Sequence, residues 1–207
     1  VTTISGSPPA PTGLNASDGT STAHVALTWN DTSGETGYTI WRYTMNQPYN
    51  AVEVGSTAEN VTNFQDTQVQ PGVLYYYWVT ASNAIGSSAK SQVDAGYRRL
   101  LPPTNVAATD GDSTAHVAIT WTGADGATSY KIYRSTNAVA ANALDLGTLS
   151  SGYQDTTADP GRLYHYWVMA QASSSSSTSD WSAVDSGYRR LATVAGLTAS
   201  YDTYGDR

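Results

Sequence analysis

Long stretches of this chain occur twice. Three pairs of segments carry the repeat: AHVALTW at 23–29 and AHVAITW at 115–121, PGVLYYYWV at 71–79 and PGRLYHYWV at 160–168, and GYRRL at 96–100 and again at 187–191. The copies are separated by the length of one small domain, so each is expected to enclose its own core. Solenoid repeats, which share one continuous core, are shorter, at roughly 20–50 residues. The sequence therefore predicts two tandem domains.

A third copy begins near the end of the sequence. LTAS at 197–200 corresponds to LNAS at 14–17 and to VAAT at 106–109. We predict an N-terminal linker, two complete modules and the first strand region of a truncated third module, with the respective ranges 1–9, 10–100, 101–191 and 192–207. The chain is then expected to be a piece of a longer repeat protein.

Composition argues against several classes of protein. The net charge is −7 and no basic stripe is present, so binding to nucleic acid is not expected. No apolar run approaches the ~20 residues that span a bilayer, so no membrane span is expected. The absence of cysteine excludes disulfides and thiolate metal sites, and no cofactor is expected. An acidic chain rich in Ser, Thr, Tyr and Gly favours an extracellular or cell-surface location.

Apolar residues alternate along short segments with turn residues between them. In the first module the alternating sets are Val25, Leu27 and Trp29, then Tyr38 and Ile40, then Tyr75, Tyr77, Val79 and Ala81. Pairs such as Asp18-Gly19 and Pro71-Gly72 supply the turns. No long segment shows the apolar stripe of a helix. This pattern is typical of an all-β sandwich.

The two modules are joined by a short connection, RRLLPP at 98–103. Its two prolines restrict the backbone to extended conformations. We therefore expect a semi-rigid joint, with Leu100 and Leu101 filling it.

Over residues 10–191 these features resemble the fibronectin type III family. The most specific motif is Asp-Thr followed by PG-x-x-Y-x-Y-x-V-x-A, at 66–81 and again at 155–170. The resemblance implies an all-β fold of two tandem seven-stranded Greek-key β-sandwiches, plus the start of a third. It also makes Tyr75 and Tyr164 the tyrosine-corner residues, whose hydroxyl groups bond to the upstream backbone.

The end of each module resembles a particular branch of that family. DAGYR at 94–98 and DSGYR at 185–189 look like the version found in bacterial extracellular and surface proteins. The resemblance implies a role as a spacer, an adhesin or an accessory module. Neither module carries Arg-Gly-Asp, so adhesion of the integrin type is not supported.

Catalytic and metal-binding patterns are weak. His24 and His116 occupy the same position in both modules, at the start of a strand, which favours a surface role over that of a general base. The acids at 35, 53 and 59 have no counterparts in the second module, so no repeated carboxylate pair exists. The Asp-Gly pairs at 18–19 and 110–111 favour β-turns over calcium loops. An enzyme is therefore not expected.

Several aromatic residues are predicted to point away from the core. Because side chains alternate between the faces of a strand, the inward positions of each module leave a second set on the outer face. This candidate binding surface consists of Trp41, Tyr43, Tyr76 and Trp78 in the first module and Tyr133, His165 and Trp167 in the second.

Three explanations of these exposed rings remain open. Arginines could stack on them as local cation–π lids, either Arg98 and Arg189 or Arg42 and Arg134. The rings could instead form a protein–protein surface, for a neighbouring module or a copy of the same chain. They could also form a platform for the apolar faces of sugars.

Three functional hypotheses follow. The first is a non-catalytic structural segment of an extracellular repeat protein, a spacer, adhesin stalk or fibre-forming module acting through protein contacts. The alternative is a carbohydrate-binding or accessory region of a secreted polysaccharide-degrading enzyme. A third is cell adhesion through the loops that differ most between the modules, namely 44–62 against 135–151 and 82–92 against 171–183.

Overall fold

The computed structural model describes residues 6–199. The first half contains seven strands: Thr12–Ala16 (β1), Val25–Asn30 (β2), Gly37–Tyr43 (β3), Val52–Ala58 (β4), Asn63–Asp66 (β5), Tyr75–Ser82 (β6) and Asp94–Gly96 (β7). The second half repeats them: Thr104–Ala108 (β8), Val117–Thr122 (β9), Ser129–Ser135 (β10), Leu144–Leu149 (β11), Tyr153–Asp155 (β12), Tyr164–Gln171 (β13) and Asp185–Gly187 (β14). Single 3₁₀ turns at Pro48–Asn50 and Ala140–Asn142 are the helical segments of the described chain.

Each half folds as two antiparallel sheets. In the first half, β1-β2-β5 form one sheet and β4-β3-β6-β7 form the other. In the second half the orders are β8-β9-β12 and β11-β10-β13-β14. Because β2 pairs with β5, and β3 with β6, the connections cross between the sheets as in a Greek key. The predicted pair of seven-stranded sandwiches is confirmed.

The alternating residues fill the space between the sheets. Val25, Leu27 and Trp29 are buried, while Thr28 and Asn30 between and after them are exposed. The Trp29 ring meets the edge of Tyr38 at a centroid distance of 5.4 Å. In the second sandwich the equivalent Trp121 is only partly buried, although it packs against the core. Both cores therefore have the composition that the alternation predicts.

The tyrosine corner is present in both sandwiches. The hydroxyl of Tyr75 accepts a hydrogen bond from the backbone N–H of Gln70 at 3.3 Å. In the copy, the hydroxyl of Tyr164 accepts from the N–H of Asp159 at 3.4 Å and donates to the carboxylate of Asp159 at 2.8 Å. These bonds fasten β6 and β13 to the preceding loop, as the family resemblance implies.

A buried ion pair lies inside the second sandwich. Arg134 continues the inward set of β10, and its guanidinium donates to the carboxylate of Asp155 at 2.6 Å. The hydroxyl of Tyr166 donates to the same carboxylate at 3.0 Å. Burial, followed by the charge of Asp155, raises the pKa of Tyr166 far above its usual range, so the phenol stays protonated and remains a donor.

The first sandwich carries the same arrangement. Arg42 on β3 donates to Asp66 at 2.5 Å, and the hydroxyl of Tyr77 donates to Asp66 at 3.2 Å. The guanidinium of Arg42 also lies 4.8 Å from the ring centroid of Tyr75. Arginine and aspartate are therefore part of each interior, and each has a partner there.

The described part of the chain includes only some of its terminal residues. Residues 192–199 are exposed and form no strand, and residues 1–5 and 200–207 lie outside the described residues. The assignment of 192–207 as the first strand region of a third module stays a prediction, as do the other domain boundaries.

Candidate functional site

The predicted outward aromatic residues come together in two clusters, one on each sandwich. In the first, Trp41 on β3 lies opposite Trp78 on β6, and Tyr43 lies opposite Tyr76. In the second, Tyr133 on β10 lies opposite Trp167 on β13, and His165 is two residues away along β13. Neither Trp78 nor Trp167 belongs to the core cluster of its sandwich. We call these two surfaces the outer aromatic faces.

The expectation that the tryptophans are exposed is wrong for two of the three. Trp78 is 3% exposed and Trp167 is 5% exposed. Next to each of these tryptophans, the segment before the last strand is hydrogen-bonded along the edge of β6 or of β13. Two hydrogen bonds of Ser91 hold this segment in the first sandwich. The N–H of Ser91 donates to the carbonyl oxygen of Val79, and the hydroxyl of Ser91 accepts from the N–H of Val79 at 3.0 Å. Side chains of this segment reach over the outer face.

One residue of that segment covers the ring on the neighbouring strand. In the first sandwich the ammonium group of Lys90 lies 4.5 Å from the ring centroid of Trp41 and donates to the carbonyl of Pro48 at 2.8 Å. In the second sandwich Trp181 occupies the corresponding place, and its ring meets Tyr133 edge-on at 4.5 Å. The outer aromatic faces are thus partly closed from within each sandwich.

The arginines that the sequence suggested as lids do not have that role. Arg42 and Arg134 point into the interior, because they continue the inward alternation and have a buried aspartate to pair with. Arg98 and Arg189 donate to backbone carbonyls of Ala23 and Thr156 instead. A local cation–π lid does exist on the first sandwich, but it is provided by Lys90.

One exposed aromatic side chain that sequence reasoning missed is Tyr49. It stands in the 3₁₀ turn between β3 and β4 and is 98% exposed. Met45 and Val52 on the same hairpin are also largely exposed. Alternation gives no signal in a turn, so the sequence pattern could not indicate this residue.

The joint between the sandwiches is closed by one leucine. Leu100 is 0% exposed and belongs to the core of the second sandwich, although it ends the repeat unit of the first. Leu101 is largely exposed, so the prediction that both leucines fill the joint is right for Leu100 and wrong for Leu101. The difference follows from alternation, since adjacent side chains of an extended segment point in opposite directions.

Polar contacts cross the joint beside Leu100. The hydroxyls of Ser174 and Ser175 both donate to the carbonyl oxygen of Gly72 at 2.7 Å. The guanidinium of Arg99 pairs with the carboxylate of Asp180 at 2.8 Å. Both groups of this ion pair are partly exposed, so it contributes orientation more than stability.

Gly72 allows the two sandwiches to approach closely. Its φ of 70° lies in the left-handed region. A Cβ atom at this position would lie only 2.6 Å from the Cβ of Ala172 in the second sandwich. The joint is therefore a close contact between a loop of the first sandwich and a loop of the second.

Chemical sites are sparse in the described part of the chain. Residues 6–199 contain no group of three or more His, Asp or Glu side chains that could hold a metal ion. Gly19 and Gly111 have left-handed φ values of 65° and 75° and lie at bends of the chain, where the Asp-Gly pairs were expected to change its direction. His24 lies 3.4 Å from the hydroxyl of Ser21 and is half-buried. No helix in this range is long and apolar enough to span a bilayer.

Comparison with known proteins finds a family-model match in the first sandwich. Residues 9–94 match the family model described as the fibronectin type III domain. A 92-residue stretch is 33% identical to an amylopullulanase of Thermoanaerobacterium saccharolyticum and includes 42% of this chain. The chain spans only 6% of the length of that enzyme.

Solved structures share the fold. A segment of two fibronectin type III domains from chicken tenascin matches with a TM-score of 0.59 and 15% identity, over 85% of this chain and 97% of the segment. A Fn3-like protein from Clostridium thermocellum is 30% identical, with a TM-score of 0.40, over 44% of this chain and 93% of its own. The tenascin match shows the fold, which is two β-sandwiches in tandem.

Proposed function

We propose that this chain, whose residues 9–94 are a fibronectin type III domain, is a non-catalytic spacer segment of a longer extracellular repeat protein of the bacterial type. It holds neighbouring domains at a set distance and orientation and acts through protein–protein contacts, as a stalk or as a unit of a fibre. The observation that carries this proposal is the closed joint, in which Leu100 of the connection completes the core of the second sandwich.

The joint differs from an ordinary flexible linker. Domains of one chain move relative to each other by default unless the interface between them is large and apolar. Here the connection is short, Pro103 in it is buried, and serine hydroxyls fix the loop of one sandwich to the backbone of the other. A spacer needs this property, because repetition of a fixed joint gives a fixed overall length.

We expect Gly72→Ala to alter the relative orientation of the two sandwiches. The added Cβ collides with Ala172, so the second sandwich has to shift. Small-angle X-ray scattering and residual dipolar couplings of the 207-residue chain measure that shift. The unaltered chain is expected to give one orientation for both sandwiches, and Gly72→Ala to give a changed or averaged one.

Gly161→Ala is the matched control. Gly161 has a φ of 75°, so alanine there has the same backbone cost, about 1–2 kcal/mol. The three atoms nearest to its Cβ would all belong to the side chain of Leu191, whereas the atom nearest to a Cβ at Gly72 belongs to Ala172 of the second sandwich. The relative orientation of the sandwiches should not change in this variant. Independent tumbling of the two sandwiches in the unaltered chain would overturn the spacer proposal.

A second candidate function is carbohydrate binding, as an accessory region of a secreted polysaccharide-degrading enzyme. It is favoured by the 33% identity to an amylopullulanase and by the partly accessible rings of the first outer aromatic face. Flat aromatic rings can stack on the apolar faces of sugars. The accessible members are Trp41, Tyr43 and Tyr76, because Trp78 is buried.

Affinity electrophoresis in gels containing pullulan or amylose tests this candidate. If it is correct, the native chain is retarded, and Trp41→Ala and Tyr76→Ala abolish the retardation. Tyr49→Ala removes an exposed ring outside the predicted surface and should keep it. Equal migration of the native chain with and without polysaccharide would rule out this second function.

A further inference from the structure

The far end of the second sandwich has the same construction as the joint. The N–H of Gly161 donates to the carbonyl oxygen of Arg189 at 2.8 Å, and the N–H of Gly72 donates in the same way to the carbonyl oxygen of Arg98 at 2.9 Å. Both glycines have left-handed φ values. A leucine packs over each glycine, Leu191 over Gly161 and Leu100 over Gly72.

The two ends differ in what covers them. Leu100 is 0% exposed because the second sandwich closes over it, whereas Leu191 is 66% exposed. Gly72 is buried and Gly161 is exposed. Val194 and Leu197, which follow Leu191 in the chain, are also largely exposed. The second sandwich thus presents an uncovered apolar end whose geometry matches a surface that is covered elsewhere in the same molecule.

We infer that this end, formed by Gly161, Arg190 and Leu191, is a docking surface for a further β-sandwich joined after it. The inference rests on the proposed spacer function and names the partner of that function. The partner is held as the second sandwich is held by the first. Leu191 completes the core of the added sandwich. Hydroxyl groups in a loop of that sandwich donate to the carbonyl oxygen of Gly161, and one of its acidic side chains pairs with Arg190.

The chemistry of the contact also selects the kind of sandwich. The loop of the second sandwich that docks at Gly72 supplies Ala172, Ser174, Ser175 and Asp180. The corresponding loop of the first sandwich is shorter, and it has Asn83 after β6 and Ala89 at the position of Asp180. That loop lacks the carboxylate, and its asparagine already donates to Gly34 and Gly6. The partner is therefore a sandwich of the second kind, and not the first sandwich of another copy of this chain.

An extended chain tests the inference. When 197–200 is aligned with 106–109, Arg207 falls on the position of His116. Adding a copy of residues 117–191 after Arg207 therefore completes a third sandwich, and this sandwich contains the docking loop of the second. All three sandwiches are expected to tumble with one rotational correlation time in ¹⁵N relaxation measurements. Leu191→Ser should release the third sandwich from common tumbling and lower its thermal midpoint.

Two controls separate docking from general effects. In the 207-residue chain Leu191→Ser is expected to leave both thermal midpoints unchanged, since the side chain is mostly exposed there. In the extended chain, replacement of the added docking loop by residues 83–86 of the first sandwich should loosen the second joint. A folded third sandwich that tumbles independently, with or without Leu191, would overturn the inference.

A second extended chain guards against a hybrid sandwich that does not fold. Residues 101–191 are placed directly after Leu191, which recreates the connection of the first joint with native sequence on both sides. If this third sandwich also fails to fold, the end of the second sandwich cannot support a successor and the inference is wrong. If the first joint is rigid while the second is not, only this inference fails. If the first joint is itself flexible, the spacer proposal fails.

Discussion

Asp155→Ala is expected to destabilise the second sandwich by about 3–5 kcal/mol, the cost of removing one partner of a buried ion pair. Asp155 accepts hydrogen bonds from the guanidinium of Arg134, the hydroxyl of Tyr166 and the backbone N–H of Thr157. Without the carboxylate, the phenol of Tyr166 loses its acceptor, and the largely buried guanidinium loses its charged partner and keeps the hydroxyl of Thr157. Hydrogen exchange during urea unfolding, followed by NMR, gives the free energy of unfolding for each sandwich separately. The first sandwich should keep its value.

Asp145→Ala is the matched control for this prediction. Asp145 also pairs with a cation, Lys131, at 3.2 Å, but both groups are well exposed. Such a pair contributes at most about 1 kcal/mol. A loss in Asp155→Ala no larger than that in Asp145→Ala would contradict the structural role of the buried pair.

The effect of Asp155→Ala on the free energy of unfolding should also depend on pH, because it arises from the charge of the carboxylate. Burial acts to raise the pKa of Asp155, but hydrogen bonds from Thr157 and Arg134 outweigh it and hold the pKa below its usual value. A group with a lowered folded-state pKa stabilises the fold above its unfolded pKa, about 3.9 for aspartate, and loses that effect as the pH falls through the folded value. The difference in free energy of unfolding between the native chain and Asp155→Ala should therefore be constant near neutral pH and become smaller below about pH 4.

The sheets and cores could be predicted from the sequence because the alternation of apolar residues indicates which side chains face the core, and the repeat shows the same alternation in the second copy. Val25, Leu27 and Trp29 alternate, and their counterparts recur in the second copy, so the inward face was clear. Arg134 follows the same alternation, but arginine is seldom buried without a partner. That partner, Asp155, lies on a strand of the opposite sheet, and no local pattern connects the two.

The outer aromatic faces show the converse limit. Alternation correctly separates Trp78 from the core cluster, but it says nothing about a third layer over the sheet. Lys90 and Trp181 reach over rings of the sheet from an irregular segment, in which the hydroxyl of Ser91 accepts a hydrogen bond from the N–H of Val79. Lys90 lies in the same segment, and as a charged residue in a turn-rich stretch it would ordinarily be assigned to solvent. Covering segments of this kind depend on the path of the loop, which the strand pattern does not contain.

Leu100→Ala is expected to cost the second sandwich about 2–5 kcal/mol, the range for removing a fully buried leucine side chain. Leu100 is completely buried and packs with the core of the second sandwich. The residue precedes that sandwich in the chain, so its loss tests whether the connection is part of a domain or only a tether. The same exchange-detected urea unfolding measures the effect on each sandwich.

Leu101 and Leu191 serve as controls for a loss of stability in Leu100→Ala. Leu101 is adjacent in sequence and largely exposed, and Leu191 is the repeat counterpart and mostly exposed as well. Their alanine variants should stay within about 0.5 kcal/mol of the native chain, as is usual for surface positions. If Leu100→Ala were equally mild, the joint would be a loose contact, and the close approach at Gly72 would not persist in solution. If Leu100→Ala alone is costly, the last residue of one repeat is part of the core of the next. The second sandwich then cannot reach its full stability without the end of the first, and a stiff array follows from the way each core is completed.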